Sequence, residues 1–394
     1  MTQLKDIKSI FDLYEIMKDE KSNTFYNLKI ELSKHGRYLT KKLELLNYIA
    51  ENFEKIKDKV KYINLFVPFE KIPKEEFKYI FKLYNATKDD VPCYINVDRE
   101  YRNEETLFDD KHSVSWDLKT IVKANTEIDS VCDFIKEQNF SPFEALAYIH
   151  NYVSTIANYH ESQDIKEQWY SHDQFFPGIF EDIPEVVCAG YSSLMKEIID
   201  NLNMPELKCK IISVSMSKIG VGLLGNHARC LIEIKDKKYG LNQTVFDDPT
   251  WDNDKNATCA KYAHFAMCNE CHDFSLNKSY RYGYPHHFDL LGNKNIGSKR
   301  DMNTSRELYN KSKNAIDQKM IETAYATVMH KALKNDSPSD IYDYLKQMAR
   351  ESHKEQTSRH FEGNLKQSGT VLSKKDVYEI CGKSFEREDE GLSM

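Results

Sequence analysis

Between residues 188 and 252 the hydrophobic period changes, and this constrains the fold more than any other feature of the chain. Cys188-Ala-Gly-Tyr191 opens a segment with apolar residues at Tyr191, Leu194, Met195, Ile198, Ile199 and Leu202. That spacing marks one face of an α-helix. His227-Ala-Arg-Cys-Leu-Ile-Glu-Ile234 then alternates residue by residue, with Ala228, Cys230, Ile232 and Ile234 facing one way and His227, Arg229, Leu231 and Glu233 the other. The alternation predicts a half-buried strand with the histidine opposite the apolar face. Asp236-Lys-Lys238 reads as a turn, followed by a strand from Tyr239 into Asp247-Asp248-Pro249-Thr250-Trp251-Asp252. A hairpin of this kind carries an aspartate back toward the histidine.

Cys188 extends the inward stripe of its helix to the N-terminus, where unsatisfied N–H groups and the positive end of the helix dipole favour a thiolate. A nucleophile on a helix end, a base on a strand and a carboxylate on the next strand form the arrangement of a Cys-His-Asp acyl-transfer site. Alternation puts Asp247 and Asp248 on opposite faces, so only one of them reaches His227. The backbone N–H of Cys188 is available to an oxyanion. For a second donor Tyr159, Trp169 and Gln174 are the candidates upstream.

Val-Cys-Ala-Gly-Tyr, Asn-His-Ala and Asp-Pro-Thr-Trp-Asp, in this order and spacing, resemble the core of the transglutaminase-like superfamily. This papain-like group includes cross-linking enzymes, proteases, deamidases and peptide N-glycanases. The resemblance implies that Cys188 is the nucleophile, His227 the base and Asp248, directly before the proline, the orienting acid. The family often carries a tryptophan two residues after the histidine, where this chain has Arg229. The paired CxxC motifs expected upstream of the nucleophile in peptide N-glycanases are missing from this sequence.

The implied fold class is α+β, a papain-like or transglutaminase-like core with the nucleophile helix packed on an antiparallel sheet. Three regions are expected: a mainly helical N-terminal extension at 1–125, the catalytic core at 126–291 and a helical C-terminal region at 292–394. Within the first, Leu43, Leu46, Ile49, Phe53, Ile56 and Val60 share a helical stripe, while Tyr62–Val67 and Val91–Val97 are strand candidates. Thr126-x-x-Asp129 and Ser141-Pro-x-Glu144 read as helix N-caps, the latter opening a helix to about Ala157. The aromatic segment Tyr159–Pro184 is expected to wall the cleft, and Gly220–Gly225 to form a flexible turn before His227. Tyr262–Phe265 reads as a further strand, and Thr304-x-x-Glu307 as the cap of a helix through Ile316 and Val328.

Composition narrows the partners. Lys+Arg number 55 against 62 Asp+Glu, a net charge of −7, so no basic excess points to nucleic acid. The nine cysteines are odd in number and scattered, as in a chain of reduced thiols in the cytoplasm. No segment reads as a membrane span or a cleaved leader. Cys268-x-x-Cys271 lacks a second pair, so neither a metal nor a cofactor is expected. The expected activity is thioester-mediated acyl transfer on protein carboxamide or peptide bonds, with a protein or peptide as substrate. The other reading is a non-catalytic peptide-binding module on the same fold. Oligomeric state is not legible.

Overall fold

The computed structural model describes residues 2–18, 24–31, 36–67, 77–98, 113–160, 175–218, 222–255, 257, 259–268, 314–358, 365 and 367–385. It is a mixed α/β protein whose described residues divide into two units, one from 2–127 and 175–184 and one from 128–160, 185–268 and 314–385. Among the described residues no helix is long and apolar enough to cross a membrane.

The first unit holds a five-stranded sheet of β1 (Thr2–Asp6), β2 (Phe25–Glu31), β3 (Val60–Val67), β4 (Cys93–Asp98) and β5 (Ser113–Asp117), in that spatial order. The first four strands are parallel and β5 is antiparallel to β4. Helices α1 (Ile10–Lys18), α2 (Gly36–Asn52) and α3 (Phe77–Thr87) make the three crossovers that parallel neighbours require. Leu28, Ile30, Ile63, Leu65 and Ile95 line the buried face of the sheet, and Leu13, Leu46, Ile49, Ile80 and Leu83 are the helical counterparts in this core. Residues between them on β3 are half-buried or exposed, and Lys61 lies over the Phe25 ring at 4.0 Å.

This sheet adds five strands to a region expected to be mainly helical. The strands predicted at 62–67 and 91–97 are there as β3 and β4. Strand β1 is nearly all exposed and β2 mixes Asn and Lys with its two buried aliphatic residues, so neither carries a strong strand pattern. The stripe from Leu43 is helical only to Asn52. Two 3₁₀ turns then bury Phe53 and Ile56 before Val60 enters β3. Thr126 is not a cap, because α4 (Leu118–Glu137) runs straight through it and its hydroxyl donates to the Val122 carbonyl. Of the aromatic segment expected to wall the cleft, 161–174 lies outside the described residues and Phe175 and Phe176 belong to the first unit. Both are buried, and Phe175 meets Trp116 edge-on.

The second unit is built on an antiparallel sheet ordered β10-β9-β8, from β8 (Leu207–Lys218), β9 (Gly222–Asp236) and β10 (Leu241–Asp247). The β9–β10 turn places Gly240 at φ +66°, a left-handed conformation that costs glycine least. Asp236 anchors this turn: its carboxylate accepts from the Lys238 N–H and, on the other oxygen, from the Phe143 N–H at 2.8 Å. Phe143 lies in the first turn of α5 (Pro142–Ile156), whose Glu144 accepts from the Ser141 N–H as in a capping box. Helix α6 (Cys188–Leu202) packs on β8 and β9. A short parallel pair, β6 (Asn158–Tyr159) with β7 (Glu185–Val186), leads into it.

Helices α7 (Gln318–Ala332), α8 (Pro338–Ser358) and α9 (Lys374–Ile380) complete this unit. They do not form a separate region beyond 292. Buried Glu322 on α7 accepts from the Tyr262 hydroxyl, from Gln318 and from the Val371 and Leu372 N–H groups, while Ser352 of α8 accepts from the Tyr262 N–H. Helix α7 begins after the Asp317 N-cap, and the cap expected at Thr304–Glu307 lies outside the described residues.

Candidate active site

Helix α6 begins at Cys188 itself, as its periodicity predicts, with Val187 extended before it. Cys188 is half-buried, whereas the rest of the helix's inward stripe is fully buried. The thiol is therefore held at the helix end and still accessible. Its neighbour is β9: the Ala228 N–H points at the Cys188 Sγ across 3.4 Å.

His227 lies within β9; of the turn expected at Gly220–Gly225, Gly220 and Val221 lie outside the described residues. The glycines at 222 and 225 are strand residues paired with β8, with a register irregularity near Met216. Both faces of β9 are covered, which corrects the half-buried reading. Cys230 contacts the Ser192 carbonyl of α6, while Leu231 on the other face packs with Ile212, Phe246, Met267 and Cys268. Arg229 is also buried, its guanidinium over the Phe246 ring at 4.1 Å.

The His227 Nε2 meets Asp248 Oδ2 at 2.6 Å, with both side chains buried. The hairpin register explains the reach. Asp247 pairs with Cys230, so Asp248 leaves the strand beside the start of the buried part of β9. Burial alone would lower the basicity of His227. The charge of Asp248 and its hydrogen bond, with Cys188 close by, outweigh it and raise the value from 6.5 to about 10. The imidazole is thus a cation at neutral pH, held between a carboxylate and a thiol. Because Asp248 takes Nε2, Nδ1 is the nitrogen left for Cys188.

Of the two aspartates weighed in the sequence, the structure brings Asp248 to His227 and turns Asp247 to His150 on α5, 2.7 Å away. Tyr159 sits in β6 opposite Val186, two residues before Cys188, with its side chain exposed. Trp169 and Gln174, the other oxyanion candidates, lie outside the described residues. Comparison with protein-family models, with curated proteins and with solved structures finds no match to this chain.

Several residues of the site escaped sequence reasoning. Trp251 stacks on the His227 ring at 4.9 Å and 21°, and its edge meets His264. His264 and His150 are fully buried partners of Asp252. The segment Tyr262–Phe265, expected as a strand, is a turn. Its His264 N–H donates to the Asp252 carboxylate and its His264 carbonyl accepts from the Asp248 N–H, leaving only the bridge Phe246–Met267 for sheet pairing. The sole available signal was the density of His and Asp around 247–264, which periodicity does not interpret. Among the described residues no group of three or more His, Cys, Asp or Glu is placed to hold a metal ion. Cys271, His272, His286 and His287 lie outside the described residues.

Proposed function

We propose that this chain is a thiol acyl-transfer enzyme of transglutaminase-like, papain-like architecture, acting on protein carboxamide or peptide bonds. The observation that carries this reading is the buried His227–Asp248 hydrogen bond of 2.6 Å, next to the half-buried Cys188 at a helix start, whose sulfur accepts from the N–H of Ala228, the residue after His227. A structural histidine needs one partner. This one has an acid on one side and an accessible nucleophile on the other.

In the proposed reaction the Cys188 sulfur attacks the carbonyl carbon and the carbonyl electrons move to oxygen. The Cys188 N–H at the helix start and a second donor would hold that oxyanion. Collapse of the intermediate expels ammonia or an amine, which takes its proton from the His227 imidazolium, and leaves a thioester on Cys188. Water or a primary amine then attacks the thioester, His227 accepts the proton, and the product leaves with a regenerated thiol. Asp248 keeps Nε2–H of His227 in place throughout. The acceptor, and with it the choice among protease, deamidase and cross-linking chemistry, depends on water access to the thioester.

Intact-mass analysis with a glutamine-containing peptide, with and without a primary amine, tests this. A mass increase of the peptide by about one dalton marks deamidation, amine incorporation marks transfer, and cleavage marks proteolysis. Binding of the peptide with no covalent change by a chain whose Cys188 is reduced would instead favour a peptide-binding module.

A further inference from the structure

Next to the proposed site lies a second group of titratable side chains that the reaction does not use. His150 Nδ1 meets Asp247 Oδ1 at 2.7 Å, and His150 Nε2 lies 3.4 Å from Asp252 Oδ2. Asp252 Oδ1 in turn meets His264 Nδ1 at 2.9 Å. All four side chains are fully buried. They come from α5, the end of β10 and the two turns that follow it. The two carboxylates flank the segment 248–251, which carries Asp248 at one end and Trp251 at the other.

His264 holds both ends of the stretch 248–252, one through backbone and one through a side chain. The Asp248 N–H donates to the His264 carbonyl at 3.1 Å, and the His264 N–H donates to the Asp252 carboxylate at 2.7 Å. Helix α5 closes the frame from below, where the Ser154 hydroxyl donates to the Pro249 carbonyl and Asn253 donates to the Ser154 and Ala157 carbonyls. A buried carboxylate is tolerated only when paired, so Asp247 and Asp252 both depend on the imidazole between them. Removing the His150 ring unpairs one of these carboxylates and loosens the other.

We propose that His150 is a positioning residue: by bridging Asp247 and Asp252 it fixes the segment 248–251 and so sets the Asp248 carboxylate at hydrogen-bonding distance from His227. This rests on the acyl-transfer reading for its purpose but not for its measurement. Asp252 lies well below the ordinary carboxylate range despite burial, because His264 and His150 bond it, and His150 is raised to about 10 against burial by Asp247 and Asp252. Burial pushes Asp247 up against the pull of His150, so the arm of the bridge that is ionic at neutral pH is His150 with Asp252.

The test is nitrogen-15 histidine NMR of the full chain, reading the Nε2–H proton of His227. A bond of 2.6 Å to a carboxylate places this proton far downfield. In His150→Ala the resonance should move upfield or exchange away, and alkylation of Cys188 by iodoacetamide should slow about tenfold, as a small displacement of a catalytic group permits. His150→Asn keeps a donor near Asp247 and should restore part of the downfield shift. Asp252→Asn, which keeps shape and removes charge, should perturb it in a chain that still folds. An unmoved His227 resonance in folded His150→Asn and Asp252→Asn protein would overturn the proposal. Failure of both near-isosteric variants to fold would also overturn it, because the network would then serve the fold and not the site. Slow alkylation of Cys188 in the wild type, with the His227 shift still responsive to His150, would sink the acyl-transfer reading and leave the positioning intact.

Discussion

The two units bury different things. In the first, the buried polar side chains among the described residues are Thr87 and Asn96, both uncharged, and the sheet is sealed by aliphatic residues such as Leu28, Ile63 and Leu65. In the second, Glu144, His150, Asp247, Asp248, Asp252 and Glu322 are at most 1% exposed, next to aromatic and aliphatic residues of the same sheet. Taking a charge out of water costs several kcal/mol unless a partner replaces the lost solvation. A fold has no need of that expense, and the first unit avoids it. The second accepts it at the end of β10, where the aspartates meet imidazoles, and at Glu144 and Glu322, which accept from Lys238 and Tyr239 and from the Tyr262 hydroxyl and backbone N–H groups. The difference teaches where to look for chemistry: where buried carboxylates and imidazoles are concentrated, not where the sheet is longest.

This contrast can be broken most sharply at Cys188. Replacing it with Ala should lower turnover of the peptide in the mass assay by about 10⁴-fold or more, while the unfolding midpoint hardly moves, because the side chain is only half-buried. Retained turnover would place the chemistry elsewhere. The next effect is on stability. Asp252→Ala strips partners from His150 and His264 and should cost about 3–5 kcal/mol in urea unfolding. In the first unit a comparable loss of about 2–5 kcal/mol should require an aliphatic deletion such as Leu65→Ala. Equal tolerance of Asp252→Ala and a surface change would remove the distinction between the units.

A smaller effect concerns alkaline pH. His150 and His227 are both raised from 6.5 to about 10 in the folded chain. Their charged forms therefore contribute stability that is fully present below pH 6.5 and is lost as pH rises through 10. The urea midpoint should fall across that window, and fall less in His227→Gln, which still donates to Asp248 but does not titrate. A profile identical in the two proteins would show that His227 is not charged when folded. The smallest effect belongs to the first unit's surface. Glu51 and Lys82 pair at 2.7 Å in the open, and Lys82→Ala should leave the midpoint within error, since exposed pairs contribute little.

Much of the second unit was legible in the sequence, because its signals are local. The start of α6 at Cys188, the strand through His227, the hairpin turn after Asp236 and the Ser141 cap each follow from residue spacing within a dozen positions. The first unit's sheet was legible only at β3 and β4, whose apolar runs are dense. The remaining strands are short or polar and acquire their role from neighbours far along the chain.

What the sequence by itself determined, then, is which residue types stand at which helix or strand position: a thiol at a helix end, a histidine in a strand, two aspartates at the end of the next. Which aspartate meets which histidine was decided by tertiary structure. Asp247 and Asp248 are adjacent and chemically alike, and alternation says only that they diverge. The pairing of Asp247 with Cys230 across the hairpin, the arrival of α5 beneath it with His150, and the return of His264 to hold both ends of 248–252 settle the assignment. Those contacts join residues up to about a hundred positions apart. Local period carries no information about partners at such separations, and a buried charge is stable only beside the partner that the whole fold delivers.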